Sequence, residues 1–576
     1  MTAPSSDTLR HPQLAARPIT RRIRRIAPRA LLLLSACATI AATEPAVDAD
    51  ISAERLSRDV RILASDPFGG RAPGTPGETR TIEWLVGELQ AIGLEPGGPD
   101  GAWTQAVPLL RTQLGTGTLS ASMQGTTLPL QQGEDIYFST LRPVSEITLA
   151  QAPMVFVGYG VTAPERGWDD FKDADLTGKV AVFLINDPDF RAATGDEAAN
   201  RFGGQAMTYY GRWTYKFEEA ARRGAIAALI VHDTDGAGYG WSTVTAPGGE
   251  NYDVAGATNR LALQGWLSGA AADRLFTAAG QDLATLRTQA ATPAFRPVEL
   301  GTTFSANLPV THESLMSRNV LARLPGTTRP DEVVFYGAHW DAYGEGAPDA
   351  QGRTIRPGAN DDALGVAGLL EIARAFKAGP PPQRSVAFGF WTAEERGLLG
   401  SETYARDPVY PAASTVANIT LDILNTGGPS RDVLLVGEGQ STLEDMLTGA
   451  AAAQGRTVTP ETLPERGLFY RADHFSVAKR GVPTLLLMAI SGAPDLVEGG
   501  RTGGQAWLDG YMACYHQTCD AWTPELDFTG AAQDTALAFY VGRDLAMSDV
   551  WPEWKEGSEF AQIRNADRLR SNASQP

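Results

Sequence analysis

Residues 332–341 read Glu-Val-Val-Phe-Tyr-Gly-Ala-His-Trp-Asp. The run Glu332–Ala338 has the length of a strand and is almost continuously apolar, the pattern of a strand covered on both faces. Ser385–Trp391, Ala417–Leu424, Asp432–Gly437 and Thr484–Ala489 repeat that character. Between the first two runs, Asp362–Lys377 has helical periodicity, acidic residues at its start and Gly379-Pro380 as its stop. Such alternation predicts an α/β fold: a doubly wound, mostly parallel but mixed sheet with helices on both faces.

Upstream, Ile51–Ala64 and Thr81–Ile92 have helical spacing, with Gly93 as the second stop, and the Gly- and Pro-rich Asp66–Gly77 reads as a loop between them. Residues 110–300 change character. Short β-like runs dominate there, among them Pro153–Tyr159, Gly178–Ile185 and Ile226–His232, with Tyr215–Arg223 as a helix candidate. This predicts a separate, mainly β domain inserted at 113–298, between an amino-terminal part, 37–112, and the main α/β domain, 299–550. Residues 551–576 form a tail. The Ala-rich Gly449–Ala453 sits inside a further expected helix.

Of the 576 residues, 43% are apolar and 20% charged, which excludes a disordered chain and a multi-span membrane protein. The net charge is −18 and very uneven: seven arginines and one aspartate fall in residues 1–36, so the remainder carries −24. A chain of that sign repels phosphate backbones, so no nucleic-acid partner is expected.

The arginines Arg21–Arg29 precede the apolar run Ala30–Ala36 and then Cys37. Leu34-Ser35-Ala36-Cys37 has the form of a lipoprotein signal, which makes Cys37 a candidate for lipidation and predicts an exported, periplasmic or cell-envelope protein anchored by lipid. An ordinary secretory signal cleaved near Ala41–Ala42 is the alternative. Export allows a disulfide between the two remaining cysteines, Cys514 and Cys519, which would pin a tight loop around His516; two buried thiols are the alternative.

In open α/β sheets ligands bind beyond the carboxyl ends of the strands. His339-Trp340-Asp341 follows the first run, and Gly358-Ala359-Asn360-Asp361-Asp362 precedes the long helix. Thr392-Ala393-Glu394-Glu395 follows the second run, Asp422 ends the third, and Cys514–Asp520 follows the last run after a long Gly-rich loop. Each piece alone is an ordinary turn, cap or surface pair. Together they hold the imidazole and carboxylate donors that Zn²⁺ takes. Two His, two terminal acids and one bridging acid are enough for a pair of ions.

These pieces resemble the co-catalytic dizinc aminopeptidases, the family that includes bacterial leucyl aminopeptidases and glutamate carboxypeptidases. The likeness rests on His339-x-Asp341, Gly358–Ala363, Glu394-Glu395, Asp422 and Tyr515-His516, in the family's order, and covers about 50–110 and 300–550. Val155–Val161, Asp175–Val180 and Lys216–His232 resemble the protease-associated domain that many members carry as an insertion. The resemblance implies two Zn²⁺ per chain, His339 and Asp422 holding one, Glu395 and His516 the other, and Asp361 bridging them. It implies Glu394 as general base, Tyr515 as donor to the oxyanion, and Asp341 as the carboxylate that orients His339. It also implies a cis peptide at Asp361-Asp362. Asp473 and His474, in a segment like the family's Ser-Asp-His, are assigned to the pocket wall rather than to the metal. Arg471 faces either the substrate or a surface ion pair. His232 and His312 have no motif around them and read as structural.

The implied function is an exported aminopeptidase acting on peptides. A carboxypeptidase or dipeptidase acting on short acidic peptides, a glutaminyl cyclase-like enzyme and a non-catalytic receptor-like protein are the alternatives.

Overall fold

The computed structural model describes residues 50–123 and 125–564. The expected signal 1–36, Cys37 and residues 565–576 lie outside the described residues. Helix α1 (Ala53–Leu63) begins at Ser52, whose hydroxyl accepts the Arg55 N–H, and buries Leu56, Val60 and Leu63. Helix α2 (Pro76–Ile92) starts one turn earlier than its periodicity suggests, with Pro76 in the first turn, where a missing N–H costs nothing. It ends at Gly93, which is left-handed.

Strands β1 (Thr104–Leu114), β2 (Glu146–Phe156) and β3 (Val180–Leu184) follow, then helix α3 (Trp213–Arg222) and strands β4 (Ala227–Val231) and β5 (Leu263–Leu267). β2, β3, β4 and β5 pair in parallel. Their alternate residues feed two apolar clusters. Phe156, Val182, Leu229 and Leu267 go to one, and Val155, Phe183, Ile230 and Trp266 to the other, with Phe217 and Ala220 of α3.

Strand β6 (Val298–Leu324) is 27 residues long and joins everything. Its first part pairs with β2, its middle with β1, and its last five residues with β8 (Arg384–Trp391), all antiparallel. The expected boundary at 298/299 therefore falls at the start of a shared strand, and the one at 112/113 falls inside β1.

The main sheet runs β10 (Thr484–Leu487), β9 (Thr415–Leu421), β7 (Arg329–His339), β8, β6. The first four strands are parallel and β6 is antiparallel to β8. Both faces are covered. Val334, Tyr336 and Ala338 of β7 point into a core shared with α1, α2, α4 (Leu364–Ala378), α6 (Leu443–Ala453) and α8 (Thr529–Met547). Val333 and Phe335 point the other way, onto Tyr404 and Ala405 of α5 (Leu399–Arg406) and onto Val477. The doubly wound architecture read from the sequence is the one observed.

Two elements differ from expectation. Asp432–Leu435 stays out of the main sheet and pairs only with Thr457–Pro460, in a two-stranded ribbon. Its Asp432 carboxylate accepts Thr459 Oγ1–H at 2.7 Å and Arg501 Nη1–H at 2.7 Å, which binds the strand to its local partners. The stretch expected as a Gly-rich loop contains a helix, α7 (Gly500–Cys514). Glycine there serves packing rather than flexibility: a Cβ on Gly504 would run into the Pro494 carbonyl. Among the described residues no helix is long and apolar enough to cross a membrane.

Candidate metal centre

The register of the parallel strands brings the site together. His339 is the last residue of β7 and lies beside Trp391 at the end of β8, so the loop carrying Glu394 and Glu395 starts level with it. Gly337 lies beside Thr420, which puts Asp422, just past β9, at the same edge. The fourth and fifth pieces come from the turn before α4, with Asp361, and the turn after α7, with His516.

His339, Asp361 and Asp422 offer three donor atoms within 4.8 Å of one another, and Asp361, Glu395 and His516 offer three more. The two oxygens of Asp361 divide between them. His339 Nε2 is 3.1 Å from Asp361 Oδ1, and His516 Nε2 is 3.1 Å from Asp361 Oδ2 and 3.3 Å from Glu395 Oε2. Donors at about 2.1 Å around a tetrahedral ion lie roughly 3.4 Å apart, so these separations suit Zn²⁺.

The tautomer of His339 makes the same point. Its Nδ1 lies 3.1 Å from the Asp341 carbonyl oxygen and donates to it, which turns Nε2 toward a carboxylate oxygen of Asp361. His339 Nε2 and Asp422 Oδ1 are both buried without a hydrogen-bond partner, and a cation between them and the Asp361 carboxylate would complete all three. The donor set thus fits the metal.

The ring of His339 is held by a different atom from the one expected. The Asp341 carboxylate oxygen is 3.7 Å from Nδ1, beyond hydrogen-bond reach, and it accepts the Glu394 N–H at 3.0 Å instead. Asp341 therefore orients His339 through its backbone and the Glu394 loop through its side chain.

Around this centre the backbone is tied down tightly. The Asp361-Asp362 peptide is cis. Asp362 accepts the His339 N–H at 3.2 Å, the Gly365 N–H at 2.9 Å and the Ile423 N–H at 3.4 Å, which links the ends of β7 and β9 to the start of α4. Ala393 (φ 51°), Ile423 (φ 55°) and His516 (φ 63°) are left-handed, each at a donor or within two residues of one. For a β-branched residue such as Ile423 this conformation costs on the order of 1–3 kcal/mol and persists only where the surroundings over-determine it.

Two supporting residues escaped the sequence reading. Asp520 accepts the N–H groups of Asn360 (3.0 Å) and Asp361 (3.1 Å), and its carbonyl accepts that of Ala359 (3.0 Å). It follows Cys519, which is bonded to Cys514, so one short loop carries His516 and also anchors the turn bearing Asp361. Arg71, fully buried, donates to the carbonyls of Trp340 (2.7 Å), Leu63 (3.1 Å), Pro357 (2.6 Å) and Gly358 (2.8 Å). The adjacency of Asp520 to the His516 segment was the one available signal. Arg71 lies about 270 residues away in a Gly-rich loop and gave none.

Glu394 lies beside the first cluster, its Oε2 3.9 Å from His339 Nε2. Burial, with Asp422, Asp473 and Glu395 nearby, pushes its carboxyl well above the usual range. Burial acts the same way on Asp361, but the two imidazoles outweigh it and hold that carboxyl well below. Tyr515 and Tyr343 flank the His516 ring, with centroids at 3.6 and 4.4 Å. Arg471 Nη2 reaches Tyr515 Oη at 3.5 Å and, among the described residues, makes no ion pair. Asp473 and His474 are buried and belong to neither donor cluster among the described residues. The His474 ring packs edge-on against Phe469 at 4.8 Å, and burial drives its pKa down to about 3. His232 is buried against Trp241 and Trp266, and His312 is exposed on β6.

The doubly wound sheet thus carries at its edge two imidazole–carboxylate clusters with a shared carboxylate, each of which could hold a metal ion. Residues 319–540 match the sequence pattern of peptidase family M28. It is 29% identical over 264 residues to leupeptin-inactivating enzyme 1 of Streptomyces exfoliatus, covering 45% of this chain and 55% of that one. It is 24% identical over 491 residues to the probable lipoprotein aminopeptidase LpqL of Mycobacterium tuberculosis, covering 82% of this chain and 80% of that one. The chain thus spans little more than half the length of the first relative. Among solved structures, the aminopeptidase from Aneurinibacillus sp. strain AM-1 is 20% identical, with 88% of this chain and 95% of that one covered and a TM-score of 0.48.

Proposed function

We propose that the chain is an aminopeptidase that hydrolyses the N-terminal peptide bond of peptides at a dinuclear zinc site. The observation that carries this reading is the pair of donor clusters sharing Asp361 beside Glu394. His339, Asp422 and Asp361 would hold one ion, and Glu395, His516 and Asp361 the other. Zinc bound there supplies Lewis acidity toward the scissile carbonyl and toward water.

The remaining work falls to the chain. Glu394, fixed through its N–H by Asp341, takes a proton from the attacking water and returns it to the leaving amine. Its N–H bond to the Asp341 carboxylate, 3.0 Å, fixes it for both steps. Tyr515 keeps its phenolic proton, since burial pushes its pKa well up, and donates it as a hydrogen bond to the developing oxyanion. Two clusters with one shared carboxylate favour this reading over a single-ion cyclase. The filled donor set favours it over a receptor that has lost its metals.

The leader pattern ending at Cys37, together with the description of the Mycobacterium relative as a lipoprotein aminopeptidase, supports a lipid-anchored place in the cell envelope. The mainly β segment 113–298 is assigned on its sequence likeness to the protease-associated domain.

The test is hydrolysis of matched free and N-acetylated peptides with and without chelator. Release of the first residue from the free peptides alone, abolished by chelator, is expected. Cleavage of the blocked peptides, or turnover indifferent to chelator, would overturn the reading.

A further inference from the structure

The two histidines of the candidate metal centre are held in different ways. The Asp341 carbonyl fixes the ring of His339 through Nδ1. Among the described residues, His516 makes no hydrogen bond through its Nδ1, and its ring is held by contact with Tyr515 and Tyr343. A ligating imidazole usually has its other nitrogen bonded, which fixes the angle of the ring. At His516 that task passes to the tyrosines. Tyr515 is its neighbour in the chain and rides on the same loop. Tyr343 comes from elsewhere, from the loop after β7, and so can hold the ring against the core.

Tyr343 is backed in turn by Arg396. The guanidinium carbon of Arg396 lies 5.0 Å from the centre of the Tyr343 ring and 5.0 Å from that of Tyr252, so one cation holds both rings. Its Nη2 is 3.5 Å from the Tyr343 carbonyl oxygen, and its Nη1 is 3.8 Å from Glu250 Oε2. Tyr252 and Glu250 belong to the 113–298 segment, on a strand (Glu250–Val254) that pairs with β1. Tyr252 packs there against a small apolar cluster of Val107, Leu109, Val254, Ala393 and Leu399, and Arg111 Nε–H donates to the Glu250 carboxylate at 2.6 Å. Arg396 also follows Glu395 directly in the chain. Glu395 and His516, the two donors that the second cluster does not share with the first, are therefore tied to one stack that begins in the 113–298 segment.

On the dinuclear zinc reading, we propose that Tyr252, Arg396 and Tyr343 are positioning residues for the ion at His516, and that through them the 113–298 segment sets how tightly this ion is held. Tyr343 fixes the angle of the imidazole, Arg396 fixes Tyr343, and Tyr252 fixes Arg396. The ion at His339 lies outside this control. Its histidine is locked by the Asp341 carbonyl, and its carboxylates come from the end of β9 and the turn before α4. The 113–298 segment then governs metal loading at one of the two clusters and does more than cover the core.

The test loads the full chain with zinc and strips it with graded chelator, counting bound zinc at each step. The ion at His516 is identified by its loss in His516→Ala. In Tyr252→Ala that ion is expected to be held about 3–10-fold more weakly, with the ion at His339 within about twofold of wild type as the control for folding. Tyr252→Phe, which keeps the ring, should restore wild-type affinity, and Arg396→Gln, which leaves both rings in place, should act like Tyr252→Ala. Tyr343→Ala should weaken the same ion by about 10–100-fold, and adding Tyr252→Ala to it should change the affinity by less than about twofold, because the path is already cut. Equal weakening of both ions in Tyr252→Ala and Arg396→Gln, an unchanged ion at His516 in either, or full multiplication of the two effects in the double variant would overturn the proposal. Wild-type protein that takes up fewer than two zinc ions would instead sink the dinuclear reading and this proposal with it.

Discussion

The two donor clusters share a carboxylate but are built differently. The His339 cluster sits on strand ends. Its histidine is 1% exposed, its ring is locked by the Asp341 carbonyl, and its neighbours are clamped by Asp362. The His516 cluster hangs from a loop closed by a disulfide, with a left-handed backbone at the histidine itself and a side chain 25% exposed. Rigid, water-excluded donors lose less on binding and hold an ion more tightly than donors on an open loop. One ion should therefore be structural in its tenacity and the other exchangeable, with catalysis needing both.

The largest effect expected around this pair comes from a residue in neither cluster. Glu394→Gln should lower kcat by about 10²–10⁴-fold while the zinc content measured by mass spectrometry stays at the wild-type level. Loss of zinc from that variant would make Glu394 a ligand and redraw the first cluster. Next comes Asp520→Ala, which frees the turn carrying the shared Asp361. It should weaken both ions, by about 10–100-fold as such supports do elsewhere. If only one affinity moved in a zinc titration, Asp361 would not be shared.

The asymmetry itself is read by graded chelation. The chain should lose zinc in two steps, the second ion held at least about tenfold more tightly, and His516→Ala should abolish the first step alone. A single step would erase the distinction between strand-borne and loop-borne donors. The smallest effect is expected for Cys514→Ser with Cys519→Ser. Opening that loop should weaken the exchangeable ion by about tenfold or less and leave the buried one unchanged. An equal loss at both would mean that the disulfide acts on the fold rather than on His516.

What the sequence disclosed follows from the same contrast. Apolar runs fixed the strands, and residues just past a strand end can be only at the sheet's edge. The pieces carrying His339, Asp361, Glu394, Glu395, Asp422 and His516 were therefore legible as one group, and the role of each residue came through the resemblance. Groups that act through the backbone were not legible. The Asp341 carbonyl, rather than its carboxylate, holds His339, and Arg71 works by binding four carbonyls, which no residue pattern announces. Helix α7 was hidden because its glycines answer to a neighbouring carbonyl, and Asp432–Leu435 was mistaken for a sheet strand because a ribbon strand has the same apolar signature.

The most direct measurement of the central claim is anomalous diffraction at the zinc edge from crystals of the active enzyme. Two peaks are expected, one among His339, Asp422 and Asp361 and one among His516, Glu395 and Asp361, with the second losing occupancy first as chelator is added. A fully active crystal with a single peak, or with zinc bound away from Asp361, would contradict the account.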